Sequence, residues 1–197
     1  IKEYFANYSM YMSDVTFDMK NNKSIVHHKR AEPWTITLVD TGSDSMTGGR
    51  LKRVSEFIKN EEAFCFTYGD GVGNNDIKAS IAFHKSHGKK ATITTSYPPG
   101  RFGALKIEHE KVLSFKEKPK GDGSKVNAGF FVLSPDVLDL IQDDYTIWEE
   151  EPLNRLVDEG QLMAFQHEGF WKPMDTLADK KMLQEMWEAG KAPWKVW

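Results

Sequence analysis

The sequence predicts an α/β fold around a mixed, mainly parallel central sheet, and three observations carry that prediction. Phe64-Cys65-Phe66-Thr67-Tyr68 is nearly continuous apolar sequence, the pattern of a strand covered on both faces, and such strands are typically parallel. A helical segment from about Asp76 to His87, stopped by Gly88, leads into a second strand at Ala91–Ser96, which makes a β-α-β unit. The second half adds strands and closes with an amphipathic helix from Asp175 to Ala189, ended by Gly190.

Taken in order, the chain opens on a helical pattern in which Ile1, Phe5 and Tyr8 share one face, with no capping residue before them. That start reads as the middle of a domain. Val15–Met19 and Ser24–His28 read as a hairpin about Asn21-Asn22, and Ile36–Val39 as a further short strand. A turn-rich stretch from Asp40 to Gly49 then feeds a helix running to about Ile58. Beyond the β-α-β unit come strands at Ala104–Ile107, Val112–Lys116 and Val126–Leu133. Helices at Pro135–Ile141 and Pro152–Glu159 follow, and then a strand at Leu162–Gln166. No repeat or linker divides the chain, so residues 1–197 read as a single domain.

Composition narrows the function. A net charge of −3, from 26 basic and 29 acidic residues with no basic stripe, argues against nucleic acid or an anionic membrane as partner. No apolar run is long enough to span a bilayer. The single Cys65 leaves no internal disulfide and no cysteine-based zinc site, which fits a cytoplasmic setting.

Ligands of open α/β sheets bind outside the carboxyl ends of the strands. Asp70 has that position, between Gly69 and Gly71. It reads either as a carboxylate for Mg²⁺ or as an ordinary turn aspartate. Met46-Thr47-Gly48-Gly49-Arg50 enters a helix whose amides, with the Arg50 guanidinium, suit a phosphate; an ordinary loop with an exposed arginine reads as well. Glu117 and Lys118 stand at a strand tip before Pro119, either as sugar-phosphate contacts or as a solvated ion pair. Asn127 could read hydroxyls, since an amide both donates and accepts. Asp175 is foremost an N-cap for the last helix, with a second metal carboxylate as the sharper alternative. His84 and His87 read as core or surface histidines, Glu149-Glu150-Glu151 as a solvated helix start, and the tryptophans as packing or subunit contacts.

Together these segments resemble a known family in order and spacing. Met46-Thr47-Gly48-Gly49-Arg50-Leu51, Tyr68-Gly69-Asp70-Gly71, Pro99-Gly100-Arg101-Phe102-Gly103, Glu117-Lys118-Pro119-Lys120, Val126-Asn127-Ala128-Gly129-Phe130-Phe131 and Phe170-Trp171-Lys172-Pro173-Met174-Asp175-Thr176 resemble the sugar-1-phosphate nucleotidyltransferases over essentially the whole chain. The Met-Thr-Gly-Gly-Arg and Trp-Lys-Pro-Met-Asp-Thr versions resemble the cytidylyl branch.

The resemblance implies a Rossmann-like nucleotidyltransferase fold. It implies transfer of a cytidylyl group from CTP to glucose 1-phosphate, giving CDP-glucose and diphosphate for dideoxysugar and surface-polysaccharide synthesis. Asp70 and Asp175 would share Mg²⁺, Lys118 would hold the sugar phosphate, and Glu117 and Asn127 would bind glucose hydroxyls. The Gly103 loop would close over the sugar, Arg50 would reach the nucleotide side, and the protein would be a homo-oligomer. Family members begin with a strand and a G-G-x-G-T-R triphosphate loop that is not in this sequence. By the resemblance the chain starts roughly sixty residues late, the length of about two β-α units. These residues alone are therefore expected to bind CTP poorly and to expose an apolar sheet edge beside Phe64–Tyr68. A non-catalytic sugar-phosphate-binding or regulatory subunit of the same fold is the alternative. A nucleotide-sugar glycosyltransferase ranks behind both, because Gly69-Asp70-Gly71 offers one carboxylate where an Asp-x-Asp motif would be expected.

Overall fold

The computed structural model describes residues 1–98, 104–108, 110–116 and 125–196. The chain divides into two compact units, Ile1–Asp40 and Thr41–Trp197. In the first, the expected opening helix is broken into α1 (Lys2–Ala6) and α2 (Tyr8–Tyr11), because Asn7 leaves helical geometry at φ −103°, ψ 2°. The hairpin forms as expected: β1 (Ser13–Asp18) pairs antiparallel with β2 (Lys23–Lys29), and Asn22 takes the left-handed conformation its turn requires. Ile36–Val39 forms no strand. Its residues have strand propensity, but that propensity is realised through pairing, and no ladder partner stands beside it among the described residues.

In the second unit, α3 (Thr47–Arg53) is followed by a 3-10 turn at Ser55–Phe57, a shorter helix than expected. Its glycines are a packing requirement. A Cβ on Gly49 would lie 2.2 Å from the Asp144 carbonyl oxygen, and one on Gly48 2.7 Å from that of Thr146. The Gly48 and Gly49 N–H groups both donate to the Thr146 carbonyl, at 3.0 and 3.3 Å, and Arg53 forks onto the Asp144 carboxylate at 2.8 and 2.6 Å.

The remaining elements are β3 (Phe64–Thr67), β4 (Gly71–Gly73), α4 (Ile77–His87), β5 (Ala91–Ser96), β6 (Ala104–Glu108), β7 (Lys111–Lys116), β8 (Val126–Leu133), a 3-10 helix at Pro135–Leu140, α5 (Glu151–Asp158), β9 (Leu162–Gln166), β10 (Trp171–Pro173) and α6 (Leu177–Glu188). Asp76 caps α4 by accepting from the Ala79 N–H at 2.8 Å, and Gly88 ends it in the left-handed conformation. Pro135–Leu140 winds as 3-10 rather than α-helix. The three-residue strands β4 and β10 were not expected from the sequence.

The main sheet has the order β3-β8-β5-β9. β8 runs antiparallel to both β3 and β5, and β5 runs parallel to β9. Thus β3, β5 and β9 share one direction with β8 inserted against them, a mixed sheet that is mainly parallel in strand direction although most of its ladders are antiparallel. β3 and β5 are the parallel arms of the expected β-α-β unit, separated by β8. The core beneath them includes Phe131, Leu133, Val137, Ile141, Trp148 and Leu156, and each aliphatic or Phe side chain among them contributes about 1.5–3 kcal/mol on burial.

A directed hydrogen-bond chain fixes α4 to β5. The Lys89 N–H donates to His87 Nδ1 at 2.9 Å, so His87 carries its proton on Nε2 and donates to Thr92 Oγ1 at 2.7 Å. Thr92 Oγ1 also lies 3.0 Å from His84 Nδ1, and His84 Nε2 lies 3.4 Å from Ser134 Oγ. His87 must be neutral for this chain to close, because its Nδ1 accepts. Burial pushes each below the usual histidine value, with His87 opposing charge on His84 and Lys89 opposing it on His87.

Two predictions follow from these contacts. Gly49→Ala should destabilise the fold by about 1–3 kcal/mol in urea titration, because backbone must move to admit the methyl. The histidine contribution is fully present above about pH 6.5, the unfolded value, and is lost as pH falls through the lowered folded values. The urea midpoint should therefore drop between about pH 7.5 and 5.5, and His84→Gln should flatten that slope.

Candidate active site

Because β8 is antiparallel to its neighbours, its beginning lies at the carboxyl ends of β3 and β5. Asn127 is there, in register with Thr95 near the end of β5. Tyr68 follows β3 directly, and its N–H donates to the Gly129 carbonyl at 3.0 Å. Gly129 has φ +76°, and a Cβ on it would lie 2.7 Å from the Tyr68 ring. Glycine at this position therefore lets Tyr68 lie against β8.

The chain continues into Asp70 and β4, which pairs antiparallel with β10: Gly71 faces Pro173, Val72 faces Lys172 and Gly73 faces Trp171. The Met174 N–H extends this ribbon by donating to the Asp70 carbonyl at 2.9 Å. Asp70 and Asp175, far apart in sequence, thereby come to adjacent positions at one end of the ribbon, both exposed. At the other end Asn74 clasps Phe170, with its N–H to the Phe170 carbonyl at 3.1 Å and its Oδ1 accepting the Phe170 N–H at 2.7 Å. Trp171 ties the ribbon to β8 by donating its indole N–H to the Ala128 carbonyl at 2.9 Å.

Asp175 is not the cap of α6. Thr176 holds that place, accepting from the Asp179 N–H at 3.1 Å while Asp179 returns a bond to the Thr176 N–H, a complete capping box. The N-cap role that local pattern assigns to Asp175 thus falls to its neighbour. Asp179 also accepts from Lys172 Nζ at 2.5 Å, locking β10 to α6. The Lys172 contact first, then Thr176, holds the Asp179 carboxyl down at about 2.

Arg50 donates to Thr41 Oγ1 at 2.9 Å and to the Ser43 carbonyl at 3.2 Å. The amides of Gly48 and Gly49, at the start of α3, are taken by Thr146, so the phosphate cradle suggested by this segment is engaged with the protein itself. Gly103, Glu117 and Lys118 lie outside the described residues.

Glu149 does not belong to a solvated helix start. It is half-buried, accepts the Thr47 O–H on Oε2 at 2.6 Å, and accepts the Tyr68 O–H on Oε1. Tyr68 Oη in turn accepts from Asn127 Nδ2 at 3.2 Å, and Asn127 Oδ1 accepts the Gly129 N–H at 2.8 Å. Burial and the Glu149 carboxylate push the Tyr68 phenol well above its usual value. Sequence reading missed Glu149 because its partners stand 81 and 102 positions away and no local pattern marks it.

Beside this network a cavity of about 350 Å³ opens among Ser96, Tyr97, Pro98, His167, Glu168 and Trp171. Lys125 links two of its lining residues, bonded to Glu168 at 2.5 Å with its ammonium 5.0 Å from the Tyr97 ring centre, and it also bonds Gln166 at 2.9 Å. The donor set at Asp70 and Asp175 is all oxygen and suits a hard divalent cation, which commonly takes one or two carboxylates and completes its shell with phosphates and water. Among the described residues no group of three or more His, Cys, Asp or Glu side chains gathers, at this pair or elsewhere.

The nucleotidyl transferase family model matches residues 10–184, and the chain belongs to that family. It is 66% identical over all 197 residues to glucose-1-phosphate cytidylyltransferase of Salmonella typhi, and spans 77% of that relative's length. It is 37% identical, with the same 77% coverage, to a probable glucose-1-phosphate cytidylyltransferase of Bacillus subtilis. Among solved structures it resembles HddC from Yersinia pseudotuberculosis, with a TM-score of 0.56 at 22% identity over 74% of this chain and 64% of the other. It also resembles UDP-glucose pyrophosphorylase solved with UDP-glucose, with a TM-score of 0.56 at 11% identity over 77% and 65%. These two likenesses establish the α/β nucleotidyltransferase fold. Enzymes of this kind generally use a divalent metal.

The Asp179 clamp has a testable acid dependence. Its carboxyl is depressed in the folded state, so its contribution is present above the ordinary value of 3.8 and is lost as pH falls towards about 2. Asp179→Asn should be less stable than the parent at neutral pH and should lose less between pH 4 and 2, as followed by circular dichroism.

Proposed function

We propose that this chain serves glucose-1-phosphate cytidylyl transfer: CTP and glucose 1-phosphate give CDP-glucose and diphosphate. The reading rests above all on the 66% identity that runs through every residue of the chain. The convergence of Asp70, Asp175 and Asn127 at one end of the sheet supports it. Cytidine as the base, Mg²⁺ as the metal, a cytoplasmic setting and a homo-oligomeric state belong to the same proposal.

In this reading a phosphate oxygen of the sugar forms a bond to the α-phosphorus of CTP as the bond to diphosphate breaks, in line and without a covalent enzyme intermediate. The protein's task is positioning and charge neutralisation. Asp70 and Asp175 would hold Mg²⁺, which when bound neutralises developing charge on the nucleotide phosphates. Lys118 pairs with the sugar phosphate, Glu117 and Asn127 bind hydroxyls, and the Gly103 loop covers the sugar. Arg50 reaches the nucleotide side by exchanging its bonds to Thr41 and Ser43 for phosphate.

Diphosphate release by the full gene product, measured with CTP, dTTP and UTP in turn, tests the proposal. Release with CTP well above the others is expected; equal release with all three, or none with any, would sink it. Asp70→Asn and Asp175→Asn should each lower kcat by about 10²–10³-fold, the usual loss when one charge-stabilising group is removed, with unchanged circular dichroism. Near-parental turnover in either variant would remove that residue from the metal site.

A further inference from the structure

We propose that Glu149 is a positioning residue for the sugar subsite: through Tyr68 it fixes which end of the Asn127 amide faces the protein and which hydrogen-bonding capacity remains for a sugar hydroxyl. The inference rests on the reading that Asn127 contacts the sugar, and it assigns Glu149, Tyr68 and Thr47 roles that reading does not contain.

The argument is one of donor and acceptor polarity. An ionised carboxylate only accepts. The Thr47 hydroxyl accepts the Trp148 N–H at 2.9 Å and so turns its own hydrogen to Glu149 Oε2, at 2.6 Å. Glu149 Oε1 is left facing Tyr68 and takes the phenolic hydrogen. With that hydrogen committed, Tyr68 Oη is an acceptor towards Asn127, and it is the Asn127 Nδ2 that lies 3.2 Å away. At the other end of the amide, the Gly129 N–H requires an acceptor and finds Asn127 Oδ1 at 2.8 Å.

The chain is anchored by backbone N–H groups at both ends, Trp148 and Gly129, and every link donates inward, so that the two arms converge on the Glu149 carboxylate. Asn127 is left with one amide hydrogen and one Oδ1 lone pair, oriented before any ligand arrives. That is the pre-organisation a hydroxyl-reading group needs. Replacing the carboxylate by an amide removes the constraint that both groups facing position 149 must donate to it. A glutamine at this position can donate to Tyr68 Oη, turning the phenolic hydrogen towards Asn127 Nδ2, which cannot accept it. A flipped Asn127 would instead set its own donors against the Gly129 N–H.

The test compares Asn127→Ala, Tyr68→Phe and Glu149→Gln, singly and in the pair Glu149→Gln/Asn127→Ala, as steady-state kinetics of the full gene product with circular dichroism controls. Each single variant should raise KM for glucose 1-phosphate, by about tenfold for Glu149→Gln, the ratio one well-placed hydrogen bond is worth. KM for CTP should hold, and kcat should change less than KM. The pair should cost no more than Asn127→Ala alone, because Glu149 acts through Asn127. If Asn127→Ala raises KM for glucose 1-phosphate while Tyr68→Phe and Glu149→Gln do not, the inference is overturned and the Asn127 reading stands. If Asn127→Ala leaves that KM unchanged, the sugar-contact reading fails and takes the inference with it. Should Glu149→Gln fail to fold, Tyr68→Phe decides by the same comparison, since it removes only the phenolic oxygen.

Discussion

The direction of β8 is the constraint on which the rest of the molecule depends. It is hydrogen-bonded along both edges, to β3 on one side and β5 on the other, and runs against both. Its end, Phe131 to Leu133, is buried in the core with Trp148 and Ile141. Its beginning, Asn127 to Gly129, is thereby placed where β3 and β5 finish. One strand thus joins the hydrophobic interior to the ligand-binding end of the sheet. Packing that holds Phe131 and Leu133 also holds Asn127.

A second layer of positioning comes from close backbone approaches that only glycine permits. Gly48 and Gly49 let α3 lie against the carbonyls of Asp144 and Thr146, which brings Thr47 to Glu149 and the Trp148 N–H to Thr47. Gly129 lets Tyr68 lie flat on β8. The Thr47-Glu149-Tyr68-Asn127 network is therefore a product of side-chain volume as much as of polarity. A methyl at any of the three glycines would separate the polar groups before it altered their chemistry.

Much of this was legible in the sequence where the signal is local. The strands at Ala91–Ser96, Val126–Leu133 and Leu162–Gln166 follow from apolar, β-branched runs. The helix over Ile77–His87 follows from an Asp cap and a Gly stop. Asp70 was marked by its flanking glycines and its place after an apolar strand. What was illegible depends on partners distant in the chain. β4 and β10 have three residues each, too few for periodicity, and exist because they pair with each other. Glu149 sits in a run of three glutamates that looks solvated until Tyr68 and Thr47 are brought to it. Asp175 and Thr176 are both good capping residues, and only the reciprocal bond from Asp179 decides between them.

The ribbon of β4 and β10 has a consequence for how the protein acquires its site. Its strands come from opposite ends of the second unit, so the carboxylate pair forms only after a long stretch of chain has been closed, which is entropically slow. The main sheet, β3-β8-β5-β9, does not include those residues. The two aspartates are thus held together by three residues zipped against three, and opening that short ribbon would part them while the main sheet stands.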